Sequence, residues 1–301
     1  MNLLSAMEAF VKVAECGSYT RAAEQLDISR TQLSKLVLQL EEHLKVRLLQ
    51  RTTRRLHLTE AGEHYLARAQ GILQSIGEAE AELGQGLDQV RGRLRINGPM
   101  SFGTRHLSPL VARFMAQHPE LEVRLDLNDR RVDLLEEGYD LAIRIGTLPD
   151  SSLVARQLTQ CRMLLCAAPA YIAAKGEPQS VDDLAGHQCL KYRGSGGSTH
   201  WQLGDRTLTV DGPLESNNGE VLTHVAEAGL GIAFQPSFLV EDSIHSGRLR
   251  VLLAGQLDRR LGVYGIYPAR RHLPAKVSLF LDFLAESWGN PPYWEKDIIS
   301  K

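Results

Sequence analysis

Apolar positions fall at helical spacing from the start of the chain: Leu3, Met7, Phe10, Val11 and Ala14 repeat every three or four residues, and Cys16-Gly17 closes the run. Ser18 then stands where an N-cap hydroxyl is needed, and a second, shorter helix follows. Its small residues Ala22 and Ala23 let another helix cross close by, while Leu26 and Ile28 supply an apolar pin. Ser29 opens a third helix with Gln32 at the capping-box position. Only Asp27-Ile28-Ser29 separates the last two helices, so they must cross steeply, as in a helix-turn-helix.

Helical spacing turns Leu33, Leu36, Val37, Leu40 and Leu44 of the third helix inward and leaves Arg30, Thr31, Ser34 and Lys35 outward near its N-terminal end. The outward set has the chemistry of base reading: Arg30 and Lys35 donate to guanine, and Thr31 and Ser34 hydrogen-bond either way or touch a thymine methyl. Gln32 either reads adenine or is held by the capping box. Ser18, Thr20, Arg21 and Ser29 complete the candidate DNA-contacting residues of these helices. Next, "RLLQRTTRRLHLT" predicts two short strands, Leu48 to Gln50 and Leu56 to Leu58, around a basic turn. That is a wing, whose Arg51, Arg54 and Arg55 suit phosphates or a narrow minor groove.

Charge sharpens this picture. Between Arg30 and Leu58 stand seven bases (Arg30, Lys35, Lys45, Arg47, Arg51, Arg54, Arg55) against two acids, Glu41 and Glu42, in a chain of 301 residues whose net charge is −2. A local excess on a near-neutral protein implies a confined anionic partner, most simply double-stranded DNA.

The stretches "SYTRAAEQLDISRTQLSKLVLQLEEHLKVRLLQRTTRRLHLTEAG", "VDLLEEGYDLAIRIG", "SLVARQL", "AAPAYI" and "AGLGIAFQP" resemble the LysR-type transcriptional regulators, in their CrgA-like branch, over the chain to about Ala285. The likeness departs at Ala168, where the family usually has serine. From Tyr65, the residues Ala69, Ile72, Ile76, Ala79 and Leu83 follow steps of 4, 3, 4, 3 and 4, a heptad seam that stops at Gly84-Gln85-Gly86. Either the seam pairs with a second copy or the helix packs on its own chain. The resemblance implies an antiparallel pairing of these helices and a tetramer built as a dimer of dimers, which presents recognition helices to a pseudo-palindromic operator.

From Arg91 short strands alternate with helical stretches: "RLRIN", a helix over Leu107 to Met115, "LEVRLDL", a helix over Val132 to Glu137, then "DLAIRIG". The order predicts α/β architecture with parallel strands, and the pattern restarts after Pro169. The expected fold class is thus α/β, with an N-terminal winged helix-turn-helix (residues 1–60), a coiled-coil linker helix (61–88) and a bilobal, periplasmic-binding-protein-like effector domain (91–301). Lobe I takes about 91–162 and 266–301, and lobe II about 163–265.

The cleft of such a domain is a binding site. Two strand-to-helix junctions point helix N-termini at it, Pro99-Met100-Ser101-Phe102 and Ser216-Asn217-Asn218-Gly219, and their backbone N–H groups favour an anion. Arg144 is either a fixed cation for that anion or a structural ion pair with Asp140 or Asp126. Phe102, Trp201 and Phe234 are either an apolar wall or ordinary core. A small carboxylate, aliphatic or aromatic, is the favoured effector class.

Catalysis lacks its constellations: no G-x-S-x-G, H-E-x-x-H, Walker loop or G-x-G-x-x-G follows a strand, and "GSGGS" at Gly194 to Ser198 lacks the Lys-Ser/Thr of a phosphate loop. His64, His106, His187, His200, His224 and His245 are scattered without ligand spacing, so neither metal nor cofactor is expected. Cys161 and Cys166 are a redox pair if they lie in a loop, or thiols on opposite faces if "MLLCAA" is a strand. Glu8, Lys12 and Glu15 interrupt the first apolar run, and no later run approaches a membrane span, which predicts a cytoplasmic protein. The sequence therefore reads as an effector-responsive DNA-binding regulator, not an enzyme. The competing readings are a solute-binding protein, which has no use for residues 18–58, and a thiol-based redox regulator.

Overall fold

The structure, a computed structural model, describes residues 2–51, 56–83, 90–130, 132–148, 151–193, 200–204, 206–269, 273–296 and 298. The chain divides into two compact units, Met1–Gln89 with Leu135–Gly138, and Val90–Leu134 with Tyr139–Lys301.

The first unit contains α1 (Leu3–Cys16), α2 (Tyr19–Gln25), α3 (Arg30–Leu44), β1 (Leu49–Arg51), β2 (Leu56–Leu58) and α4 (Glu60–Leu83). The caps read from the sequence are present: the Ser18 hydroxyl accepts from Arg21 N at 3.5 Å and the Ser29 hydroxyl from Gln32 N at 3.1 Å. Gly17 ends α1 in the left-handed region at φ 59°, which a side chain would resist. Phe10, Leu33, Leu40 and Leu48 are fully buried and tie α1 and α3 to the wing in one cluster. The first wing strand starts one residue later than predicted, because Leu48 is turned into that cluster.

Helix α4 corrects the heptad reading in its first turns. Ala69 is fully buried, and with Tyr65, Leu66 and Leu73 it packs against the unit's own core. Ile72, by contrast, is 45% exposed. The backbone of α4 continues to Leu83, while the side chains of Ala79 and Leu83 and the Gly84-Gln85-Gly86 stop lie outside the described residues.

The second unit runs β3 (Gly92–Gly98), α5 (Met100–Phe102), a π-helical turn (Gly103–Leu107), α6 (Ser108–Gln117), β4 (Leu121–Leu127), β5 (Leu141–Ile145) and β6 (Leu153–Ala167). It continues with α7 (Pro169–Lys175), β7 (Cys189–Tyr192), β8 (His200–Leu203), β9 (Arg206–Thr209), β10 (Glu215–Ser216), α8 (Gly219–Glu227), β11 (Ile232–Pro236) and α9 (Ser237–His245). Last come β12 (Arg250–Leu252), β13 (Arg260–Pro268), α10 (Ala275–Trp288) and a 3-10 turn, Tyr293–Glu295.

One sheet joins the two lobes in the order β10-β7-β11-β6-β13-β5-β3-β4, with β12 on β6. Strand β3 is parallel to β4 and β5, and β7 is parallel to β10 and β11, as the alternating pattern predicts. The crossing strands are the exception, since β13 runs antiparallel to β5 and β6, and β6 antiparallel to β11. The long β6 pairs with β13 over Leu153–Arg162 and with β11 over Met163–Cys166, so the chain changes lobe within one strand.

Two expectations fail here or gain a cause. Val132–Glu137 is no helix: Leu134 anchors a turn, Leu135 is 51% exposed, and Gly138 at φ 70° ends the segment, so no apolar stripe exists to hold helical turns. Ala168 stands at the N-cap of α7 without a side-chain cap bond, the position where a serine hydroxyl would have that work.

Candidate nucleic-acid interface and effector cleft

The N-terminal end of α3 presents Arg30, Thr31, Gln32 and Lys35 to solvent, with Ser34 half-buried beside them. Thr20, Ser29, Arg30 and Gln32 share the rim of an open groove of about 500 Å³ that also touches Glu24 and Asp27. The structure therefore brings Thr20, Ser29, Arg30 and Gln32 to one surface. The bond from Ser29 to Gln32 runs through the Gln32 main chain, and the Gln32 side chain is exposed. Arg21 is exposed, and its guanidinium donates to the Cys16 carbonyl at the end of α1, so it also closes that helix. Arg54 and Arg55, and the side chain of Arg51, lie outside the described residues.

Glu41, one of the two acids in the basic segment, holds this surface together. It is 8% exposed, and its Oε1 accepts from Leu48 N at 2.8 Å and Leu49 N at 3.0 Å, with Arg47 Nη1 3.7 Å from its other oxygen. One carboxylate thus fixes the root of the wing to the recognition helix. Its place one turn after Val37 on the inward face was the signal available in the sequence.

In the second unit the predicted effector residues separate into two kinds. Pro99 is the N-cap of α5, Met100 is exposed and Ser101 half-buried at the carboxyl end of β3. The Met100 N–H already donates to Asp129 Oδ1 at 3.2 Å, so an internal carboxylate takes one of the donors expected to be free. Asn218 caps α8 by accepting from Glu220 N at 2.8 Å, and Asn217 is exposed beside it. Arg144, at the carboxyl end of β5, donates to Asn97 Oδ1 at 2.7 Å and to the Ile143 carbonyl at 2.9 Å.

The three aromatic candidates pack as core. Phe102 is fully buried, stacked edge-on against Phe238 and Trp288 at 5.0 and 5.2 Å. Trp201 and Phe234 lie 5.6 Å apart in lobe II's own apolar cluster. Sequence reasoning missed Tyr192, at the carboxyl end of β7 and 38% exposed: partial burial and then the Asp129 charge raise its hydroxyl above the ordinary tyrosine value.

The thiols are poor redox candidates. Cys161 and Cys166 lie in β6, both fully buried, and burial pushes the Cys166 and Cys189 thiols up to about 12 and Cys161 further in the same direction. Among the described residues no group of His, Cys, Asp and Glu could hold a metal ion, and no helix is long and apolar enough to cross a membrane. The Gly194–Ser198 loop lies outside the described residues.

Known proteins share this arrangement. Residues 4–63 match the bacterial regulatory helix-turn-helix proteins of the lysR family, and residues 87–289 match the LysR substrate binding domain. An uncharacterized HTH-type transcriptional regulator of Haemophilus influenzae is 42% identical over 283 residues, which cover 92% of this chain and 98% of that one. The regulator CrgA of Neisseria meningitidis is 38% identical over 288 residues, 94% of this chain and 96% of its own. The solved CrgA structure superposes with a TM-score of 0.62 at 37% identity, covering 95% of this chain and 99% of CrgA.

Proposed function

The chain belongs to the LysR family of DNA-binding transcriptional regulators and is no enzyme, and from that premise we propose that a small carboxylate, bound between its lobes, controls its grip on a pseudo-palindromic operator. The observation that carries the DNA half is the outward row Arg30, Thr31, Gln32 and Lys35 on a helix whose wing is pinned to it by Glu41. The protein acts as a dimer or tetramer paired through the exposed part of α4, in the cytoplasm where its DNA partner lies.

The carboxylate half rests on polar groups at the carboxyl ends of the strands. Ser101 and Asn218 stand at two helix N-termini, Arg144 is held by Asn97, and Tyr192 adds a hydroxyl at the carboxyl end of β7. A ligand carboxylate competes with Asp129 for the Met100 N–H, and its binding changes the relation between the lobes through its different affinity for the two arrangements. The test is a carboxylate screen by thermal shift on the full chain, followed by titration of the Ser101→Ala/Asn218→Ala variant with the compound found. Loss of one hydrogen bond to the charged carboxylate at each site costs about 1.5–3 kcal/mol, a response weaker by about tenfold or more with operator binding intact. A parent-like titration curve would place the ligand elsewhere.

A further inference from the structure

The family match ends at residue 289, and Tyr293–Glu295 beyond it are built into both lobes. Trp294 is 2% exposed, with its ring 4.8 Å from His106, 5.8 Å from Phe102 and 6.5 Å from Trp288, all of lobe I. Glu295 is 4% exposed, and its Oε1 accepts from Arg162 N and from the Ser237 hydroxyl, each at 2.6 Å. Arg162 is the last residue of β6 paired with β13 before that strand enters lobe II, and Ser237 opens α9 of lobe II. Neighbouring residues of one short turn are thus anchored in lobe I, at the crossing point and in lobe II.

Tyr293 extends the connection. Its oxygen lies 2.6 Å from Nδ1 of His106, whose Nε2 is 3.1 Å from the Phe238 carbonyl of α9. A carbonyl only accepts, so Nε2 carries the proton; burial lowers the His106 pKa and keeps the ring neutral, and the Tyr293 hydroxyl therefore donates to Nδ1. Beside this chain Arg105 of the π-helical turn reaches Glu220 of α8 at 2.9 Å, a second link between the lobes. Gly103 makes the turn's approach to β4 feasible, since a Cβ there would lie 2.2 Å from Leu127 Cδ2.

We propose that the segment Tyr293–Glu295 is a strap that fixes the angle between the two lobes, by locking Trp294 into lobe I while Glu295 holds the crossing strand and α9 together. The strap resists any relative movement of the lobes, and so sets how much effector binding free energy the domain must supply to change state. A buried carboxylate with two short bonds suits this, because breaking either one leaves a buried polar group unpaired. The inference shares with the functional reading only the premise that the lobes move, and it needs neither effector nor operator for its test.

Nitroxide labels on Glu120→Cys of lobe I and Lys175→Cys of lobe II, in a full-length Cys16→Ser background diluted into unlabelled protein, report the distance between lobes within one chain. Glu295→Ala broadens that distribution and shifts it to longer distances. Glu295→Gln keeps an acceptor for the Arg162 N–H and the Ser237 hydroxyl but loses the charge 3.6 Å from Arg162 Nε, and falls between the parent and Glu295→Ala, a distinction that mere loss of side-chain bulk would not produce. Ser237→Ala, which removes only the lobe II donor, gives an intermediate broadening. A folded Glu295→Ala protein with the parent's distribution overturns the proposal; should that variant not fold, the parent's distribution in Ser237→Ala overturns it equally.

Discussion

Glu41 of the recognition helix accepts the Leu48 N–H at 2.8 Å inside the first unit, so the helix and the root of the wing move as one piece. The helix places side chains toward base edges and the wing places cations along the backbone, and a protein that reads sequence needs those two contacts in fixed register. Replacing Glu41 by Ala leaves the Leu48 and Leu49 N–H groups buried and unpaired, which costs about 1–3 kcal/mol of stability. Glu41→Gln keeps an oxygen that accepts both, gives up only the charge beside Arg47, and loses less. Thermal unfolding of the two variants checks the order, and equal melting temperatures for Glu41→Ala and the parent would remove the pin from the account.

Arg30→Ala and Lys35→Ala, both on the exposed face of α3, weaken operator binding by roughly 1–3 kcal/mol and relax discrimination at particular base pairs. Arg54→Ala behaves differently. It weakens binding across sequences and lowers the salt slope by about one unit, as loss of a phosphate contact requires. Binding isotherms against operator point mutants at several salt concentrations separate the two behaviours.

Ile72, 45% exposed on α4, and Ile76, half-buried one turn later, are apolar positions outside the unit's own core cluster. Asp at both positions places charges on the pairing surface and dissociates the assembly. Sedimentation velocity shows the loss directly. The winged-helix core keeps its stability, because Ala69, Leu66 and Leu73 are untouched.

Glu241 on α9 is mostly buried, and burial followed by the Asp242 charge raises its carboxyl to about 7, with Arg105 opposing. The folded state therefore holds this proton over a pH range where the unfolded chain has lost it. Stability from this group is full below its ordinary value of 4.5 and falls as pH rises toward about 7, a loss on the order of 2 kcal/mol. His106, 3.9 Å away with a lowered pKa, slopes the other way in acid. Subtracting the Glu241→Gln profile from the parent's isolates the glutamate, and parallel profiles between pH 5 and 8 would contradict its shift.

What the sequence determined by itself was local. Ser18, Ser29 and Gly17 act within a few residues of their own backbone, and the inward row of α3 follows from helical geometry, so caps, turn and recognition face were legible without a partner structure. The outward set of readers came with them, because a face opposite to a buried one is defined by the same periodicity. What only tertiary structure decided depended on distant chain segments. Periodicity leaves Ala69 open to a partner helix or to its own chain, and the core of its own unit covers it; Phe102 is open to cleft wall or core, and Phe238, Trp288 and Trp294 close over it. Asp129 took the Met100 N–H from across the β3–β4 connection. Glu295 found its partners 133 and 58 residues away. Periodicity says which side of an element seeks cover; the global packing alone says what provides it, since burial and hydrogen bonding act between atoms near in space whatever their separation along the chain.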